Sequence, residues 1–148
     1  MIERKNTMIS FALWQSRLSK CRDKKTAAIL VSDDLTQIYS IGINGGPKHG
    51  ADCMCRTDDD GQAPIAKYTC VHSEMNCLVK NTAVDDRPKI MICTKQPCQM
   101  CASLIVNADT NIKEVWYIEP YWDKTGVTIL QDAGIKVVKL REKDEVMR

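Results

Sequence analysis

The order of elements in the chain predicts an α/β protein, a three-layer α/β/α sandwich around a mixed five-stranded sheet. Three observations lead there. A helical stretch precedes two short apolar runs joined by a polar turn, which reads as a hairpin. Three later strand-like runs are separated by helical segments, and that alternation implies parallel pairing with helices on the sheet faces. The chain has 148 residues, 44% of them hydrophobic, which suits a single domain over 1–148 with one core.

Residues 7–21 carry Met8, Phe11, Ala12, Leu18 and Cys21 at a spacing that suits an amphipathic helix. Residues 26–32 read as a buried strand, and residues 36–43, after the Asp33-Asp34 turn, as its antiparallel partner. Residues 44–70 sustain no period and hold four of the seven glycines, so they read as a long functional loop. Residues 72–82 read as a helix with Met75, Leu78 and Val79 facing inward. Strands are expected over 88–94, 113–119 and 135–140, and helices over 98–108 and 125–133. The charged end, 141–148, is expected to fray.

Two short motifs carry the chemistry. His72-Ser73-Glu74 opens one expected helix, and Pro97-Cys98-Gln99-Met100-Cys101 opens another. Zinc favours Cys sulfur and His nitrogen, and a catalytic site keeps three protein ligands and one open position. His72, Cys98 and Cys101 make such a set. Cys98 and Cys101 lie three apart and share a helix face. Pro97 suits a helix start, and the positive helix end favours thiolates. Two thiolates and a neutral His leave a zinc site formally neutral, so a nearby base is useful. Glu74, two residues past His72, can approach the metal without ligating it. It is the candidate catalytic residue, base first and acid second, for replacing an amine on a ring carbon by water. A redox pair or a structural zinc would explain the cysteines but would leave Glu74 without a role.

With these motifs on the page, the chain resembles the deoxycytidylate (dCMP) deaminase family of the cytidine deaminase superfamily. The pattern H-x-E followed by P-C-x-x-C is the signature of zinc-dependent nucleobase deaminases. The resemblance runs from Ser19-Lys20-Cys21 to about Leu140 through GINGGP (42–47), CVHSEMNCL (70–78), KQPCQMCASLI (95–105) and IEPYWDKTGVTILQDAGIKV (118–137). Ser73 stands where the family usually has Ala. The resemblance implies hydrolysis of dCMP to dUMP and ammonia, activation by dCTP, inhibition by dTTP, Mg²⁺ on the effector triphosphate, and a hexamer. It also implies that Asn44 meets the substrate's sugar, that Tyr121 stands beside its base, and that Gly45, Gly46 and Pro47 belong to the effector site. The residues themselves leave plainer accounts open: a hairpin exit loop for 45–47 and a rim aromatic for Tyr121.

Some members of the family carry a second, structural zinc. Cys21 and Cys53 match positions where its ligands occur, with Cys55, Cys70 or His49 as further candidates. Cys77 and Cys93 read as core residues. Lys and Arg in segments 20–25 and 48–70 are candidates for the substrate phosphate.

The nearest rivals are tRNA adenosine and guanine deaminases, followed by a non-catalytic zinc-stabilised module. The resemblance favours a mononucleotide over tRNA, because 24 residues separate Pro47 from His72 where tRNA adenosine deaminases have a much shorter link. So does the charge: 21 basic against 19 acidic residues give a net +2, too balanced for a nucleic-acid surface. No secretory signal or membrane span is apparent, which leads us to expect a soluble, cytoplasmic protein and to read the eight cysteines as ligands or core.

Overall fold

The structure, a computed structural model, describes residues 1–49 and 70–141. Nine elements follow in the order α1 (Ile2–Ser16), β1 (Ala27–Ser32), β2 (Ile38–Ile43), α2 (Ser73–Val79), β3 (Lys89–Lys95), α3 (Gln99–Asn107), β4 (Ile112–Glu119), α4 (Thr125–Asp132) and β5 (Lys136–Lys139). The sheet order is β2-β1-β3-β4-β5. β1 pairs antiparallel with both β2 and β3, whereas β3, β4 and β5 run parallel. The mixed five-stranded sheet expected from the sequence is therefore present.

β1 is buried along its whole length and β3 along all but its last residue, because both sheet faces are covered. On one face Ala28, Leu30, Met91, Cys93 and Val115 pack with Cys77, Ala102, Ile105 and Leu130 from α2, α3 and α4. On the other, Ile29, Val31, Ile90, Ile92 and Trp116 pack with Ile9 and Ala12 from α1. Burying each large aliphatic side chain contributes about 1.5–3 kcal/mol. Cys77 and Cys93 are fully buried, as expected of core residues.

Two helices depart most from the sequence reading. The first helix spans Ile2–Ser16 rather than 7–21, and Leu18 is 66% exposed. The chain leaves the helix because Ser19 is held elsewhere: its hydroxyl donates to Asn44 O (2.8 Å) and Asn44 Oδ1 (2.7 Å). α2 ends at Val79, which is 83% exposed rather than inward. Its buried face is Ser73, Glu74 and Cys77, so a carboxylate occupies a place where apolar periodicity expects a hydrophobe.

Two close approaches set the helices against the sheet. A Cβ on Gly42 would lie 1.9 Å from Ser73 O and 2.3 Å from Cys77 N, so only glycine lets α2 settle on β2. Ser40 completes that contact by donating its hydroxyl to Cys77 O. A Cβ on Gly126 would stand 2.5 Å from Pro97 O, so glycine also lets the start of α4 abut the turn into α3.

Candidate metal centre and active site

His72 and Cys98 occupy equivalent places. Each is the residue just before a helix, with extended backbone (φ −69°, ψ 153° and φ −72°, ψ 172°). Neither side chain caps its own helix. Both point instead toward a common space. His72 is aimed partly by an antiparallel bridge between Val71 and Gly45, in which each N–H donates to the other's carbonyl (2.7 and 3.2 Å).

His72 Nδ1 lies 3.5 Å from Cys98 Sγ and 3.3 Å from Cys101 Sγ. The three ligand atoms fall within 4.8 Å of one another, and this is the metal-competent group among the described residues. Zn–S bonds of about 2.3 Å and Zn–N bonds of about 2.1 Å at tetrahedral angles would separate N and S by about 3.6 Å. The observed spacings fit such an ion without rearrangement. The Cys101 thiol donates to Cys98, which pushes the Cys98 thiol down to about 3, with His72 adding to the effect. The same bond raises Cys101, and burial adds to it. One thiolate is thus favoured at neutral pH from within the cluster itself.

Glu74 lies beside this triangle on the first turn of α2 and is 5% exposed. Burial raises its carboxyl above the ordinary range, while interaction with Cys101 and the charge of His72 pull it down. A carboxyl so balanced is suited to taking and returning a proton. Ser73, fully buried, accepts a hydrogen bond from the Thr26 hydroxyl (3.2 Å), which accommodates its polar group.

A cavity joins His72, Glu74 and Cys98 to Asn44 and Tyr121, so three of the four motif residues and both candidate substrate contacts share one space, with Cys101 next to His72 and Cys98. The Asn44 amide also has local work. Its Oδ1 accepts from Thr26 N (2.8 Å) and from Ser19, and its Nδ2 donates to Lys24 O (2.7 Å). Asn44 thereby holds the 19–26 segment against the cavity wall. Gly45 and Gly46 are half-buried, Pro47 is exposed, and all three lie outside the cavity lining. Cys21 and Cys70 are buried and line the cavity, with their sulfurs 3.7 Å apart. Cys53 and Cys55, the other candidates for a second zinc, lie outside the described residues.

Sequence reasoning did not single out Lys95 or Gln96, which also line the cavity. Gln96 is 3% exposed. Its Oε1 accepts from Tyr121 N (3.2 Å) and Lys124 Nζ (2.7 Å), and its Nε2 donates to Asp123 O (2.8 Å). Both residues directly precede Pro97-Cys98, and that adjacency was the signal available in the sequence.

The family model for the cytidine and deoxycytidylate deaminase zinc-binding region matches residues 2–119. The chain is similar to the deoxycytidylate deaminases of Homo sapiens and Mus musculus, 28% identical to each over 124 residues, covering 81% of this chain and 67% of theirs. Among solved structures it is similar to the dCMP deaminase of the cyanophage S-TIM5 in complex with dCMP and dUMP. That match has a TM-score of 0.76 and 30% identity and covers 93% of this chain and 97% of that one. A diaminohydroxyphosphoribosylaminopyrimidine deaminase/reductase from Thermotoga maritima shares the fold, with a TM-score of 0.64 at 18% identity, over 93% of this chain and 36% of that one.

Proposed function

Because the chain belongs to the family of zinc-binding cytidine and deoxycytidylate deaminases, we propose that it hydrolyses dCMP to dUMP and ammonia. The observation that carries this reading is Glu74, a buried carboxyl set beside the His72, Cys98 and Cys101 triangle and opening onto the same cavity. The dCMP and dUMP bound to the cyanophage relative support this substrate over other bases.

In this reading His72 Nδ1, Cys98 Sγ and Cys101 Sγ hold the ion. When bound there, zinc supplies a Lewis acid that makes water a nucleophile at neutral pH. Glu74 takes the proton from the attacking water and delivers it to the ring nitrogen. Water adds at the amine-bearing carbon, Glu74 passes the proton of the added hydroxyl to the amine, the C–N bond breaks to release ammonia, and the ring keeps the oxygen as a carbonyl. Asn44 contacts the sugar through the amide hydrogen not given to Lys24, and Tyr121 forms the wall beside the base. Gln96 fixes that wall.

The same reading extends to regulation and assembly. dCTP would activate and dTTP inhibit, with Mg²⁺ on the triphosphate, near Gly45, Gly46 and Pro47. The Gly45 amide is already given to Val71 O, which leaves Gly46 as the glycine amide for a phosphate oxygen. Exposed Val79 on α2 and Met100 and Leu104 on α3 support self-association, as expected for a hexamer.

An ammonia-release assay with dCMP, dCTP, cytidine, guanine and a tRNA stem-loop tests the substrate. Turnover of dCMP above the rest is the expected result, and turnover of guanine or tRNA alone would overturn it. Titration of dCTP and dTTP at sub-saturating dCMP tests regulation, and a flat response to both rejects the effector site.

A further inference from the structure

We propose that Thr26 is a positioning residue for the reaction: it ties Asn44 to the start of α2, where Glu74 stands, and so sets where the carboxyl meets the ring; this rests on the deaminase reading above. Thr26 directly precedes β1, is half-buried and lines the cavity. All three of its polar groups are engaged. Its N–H donates to Asn44 Oδ1 (2.8 Å), its carbonyl accepts from Asn44 N (3.3 Å), and its hydroxyl donates to Ser73 Oγ (3.2 Å). Ser73 is the first residue of α2 and lies between His72 and Glu74 in the chain.

The Ser73 hydroxyl is fully buried at a place where the family usually has Ala. A buried hydroxyl costs free energy unless it is hydrogen-bonded. Among the described residues its partner is Thr26. On the β2 side α2 is held by other contacts: Gly42 lies against Ser73 O, Ser40 donates to Cys77 O, and Asn76 Nδ2 donates to Ile43 O (2.8 Å). Thr26 holds the first residue of the helix from the β1 side. Gripped from both sides, the first turn cannot pivot about its contacts with β2.

That pivot is the motion that would carry Glu74 toward or away from the ring. Glu74 has to reach the attacking water and the ring nitrogen within hydrogen-bond distance of both. A misplacement of about 1 Å at a reacting group costs on the order of 10²-fold, so a smaller drift of the first turn costs several-fold. A sugar seated on Asn44 and a carboxyl seated through Ser73 thus share one junction at Thr26.

The test uses the zinc-loaded protein, Thr26→Val, Thr26→Ser, and Thr26→Val combined with Ser73→Ala. Thr26→Val removes the hydroxyl but keeps the branched shape and both backbone bonds to Asn44. It strands the Ser73 hydroxyl, so the melting temperature should fall. Turnover of dCMP should fall in kcat by about 3–10-fold, with KM and zinc content little changed. Thr26→Ser should restore kcat. Adding Ser73→Ala removes the stranded hydroxyl, so the melting temperature should recover while kcat stays low; this double variant also carries the test if Thr26→Val alone does not fold. Recovery of kcat together with the melting temperature would show that the bond only satisfies a buried group, and would overturn the positioning role. So would an unchanged kcat in Thr26→Val, or a loss of zinc that tracks the loss of kcat. If the unaltered protein leaves dCMP intact, the deaminase reading falls and this role falls with it; if it turns dCMP over and the variants respond as just described for failure, the role falls alone.

Discussion

Gln96 holds Tyr121 against the cavity: the Tyr121 N–H donates to Gln96 Oε1 at 3.2 Å, from a glutamine one residue before Pro97-Cys98. The same oxygen takes the Lys124 ammonium, and the Gln96 amide binds Asp123 O, so one side chain gathers the 121–124 segment onto the metal turn. Gln96→Ala removes three hydrogen bonds at a buried site. We expect a stability loss of about 1–3 kcal/mol in denaturant titration. We also expect a raised KM for dCMP with zinc content unchanged.

Glu74 and Cys98 separate chemistry from metal holding. Glu74→Gln keeps the shape and should retain zinc in elemental analysis while losing about 10²–10⁴-fold in turnover. Cys98→Ser should lower zinc content directly, and added zinc should restore part of the activity. An active Glu74→Gln protein would remove the carboxyl from the reaction, and unchanged zinc in Cys98→Ser would point to other ligands.

Gly42→Ala pushes a methyl group onto Ser73 O and Cys77 N, both backbone atoms that cannot swing away. α2 must shift, carrying Glu74 with it. The expected cost is about 1–3 kcal/mol of stability. Because Glu74 moves, kcat should fall by a larger factor than KM changes. Thermal unfolding and steady-state kinetics on one preparation read both.

Stability should also fall in mild alkali. Burial pushes the Cys77 thiol up to about 11 from 9.0. The folded protein therefore keeps a proton that the unfolded chain gives up first. That contribution is intact below pH 9 and is lost as pH rises from about 9 to about 11, by at most about 3 kcal/mol. Cys93, raised for the same reason, adds to the trend. Chemical denaturation across this range should show the decline, and Cys77→Ala should flatten it.

The succession of helices and strands along the chain and the ligand triangle could be read in the sequence because both are written locally. Apolar runs such as 26–32 and 88–94 name buried strands, and His72, Glu74, Cys98 and Cys101 sit at fixed short spacings at helix starts. Gln96 and Lys95 could not be read that way, since each meets Tyr121, 25 or 26 positions away. The end of α1 escaped for a similar reason: Ser19 is drawn off by Asn44, 25 residues later. Val79 fits a helical apolar pattern but projects from the free end of a seven-residue helix, where nothing packs on it among the described residues.

His72 precedes β3 and Cys98 follows it, and β3 is the middle strand of the sheet. An ion held by both would close a chain loop around that strand, as a cross-link does. Unfolding would then have to open the loop or release the metal, and a ligand that binds only the folded chain stabilises it by mass action. Zinc would serve as a clasp on the centre of the sheet as well as a reagent. Chelation should accordingly lower the melting temperature of the whole molecule, even at protein concentrations where no substrate is turned over.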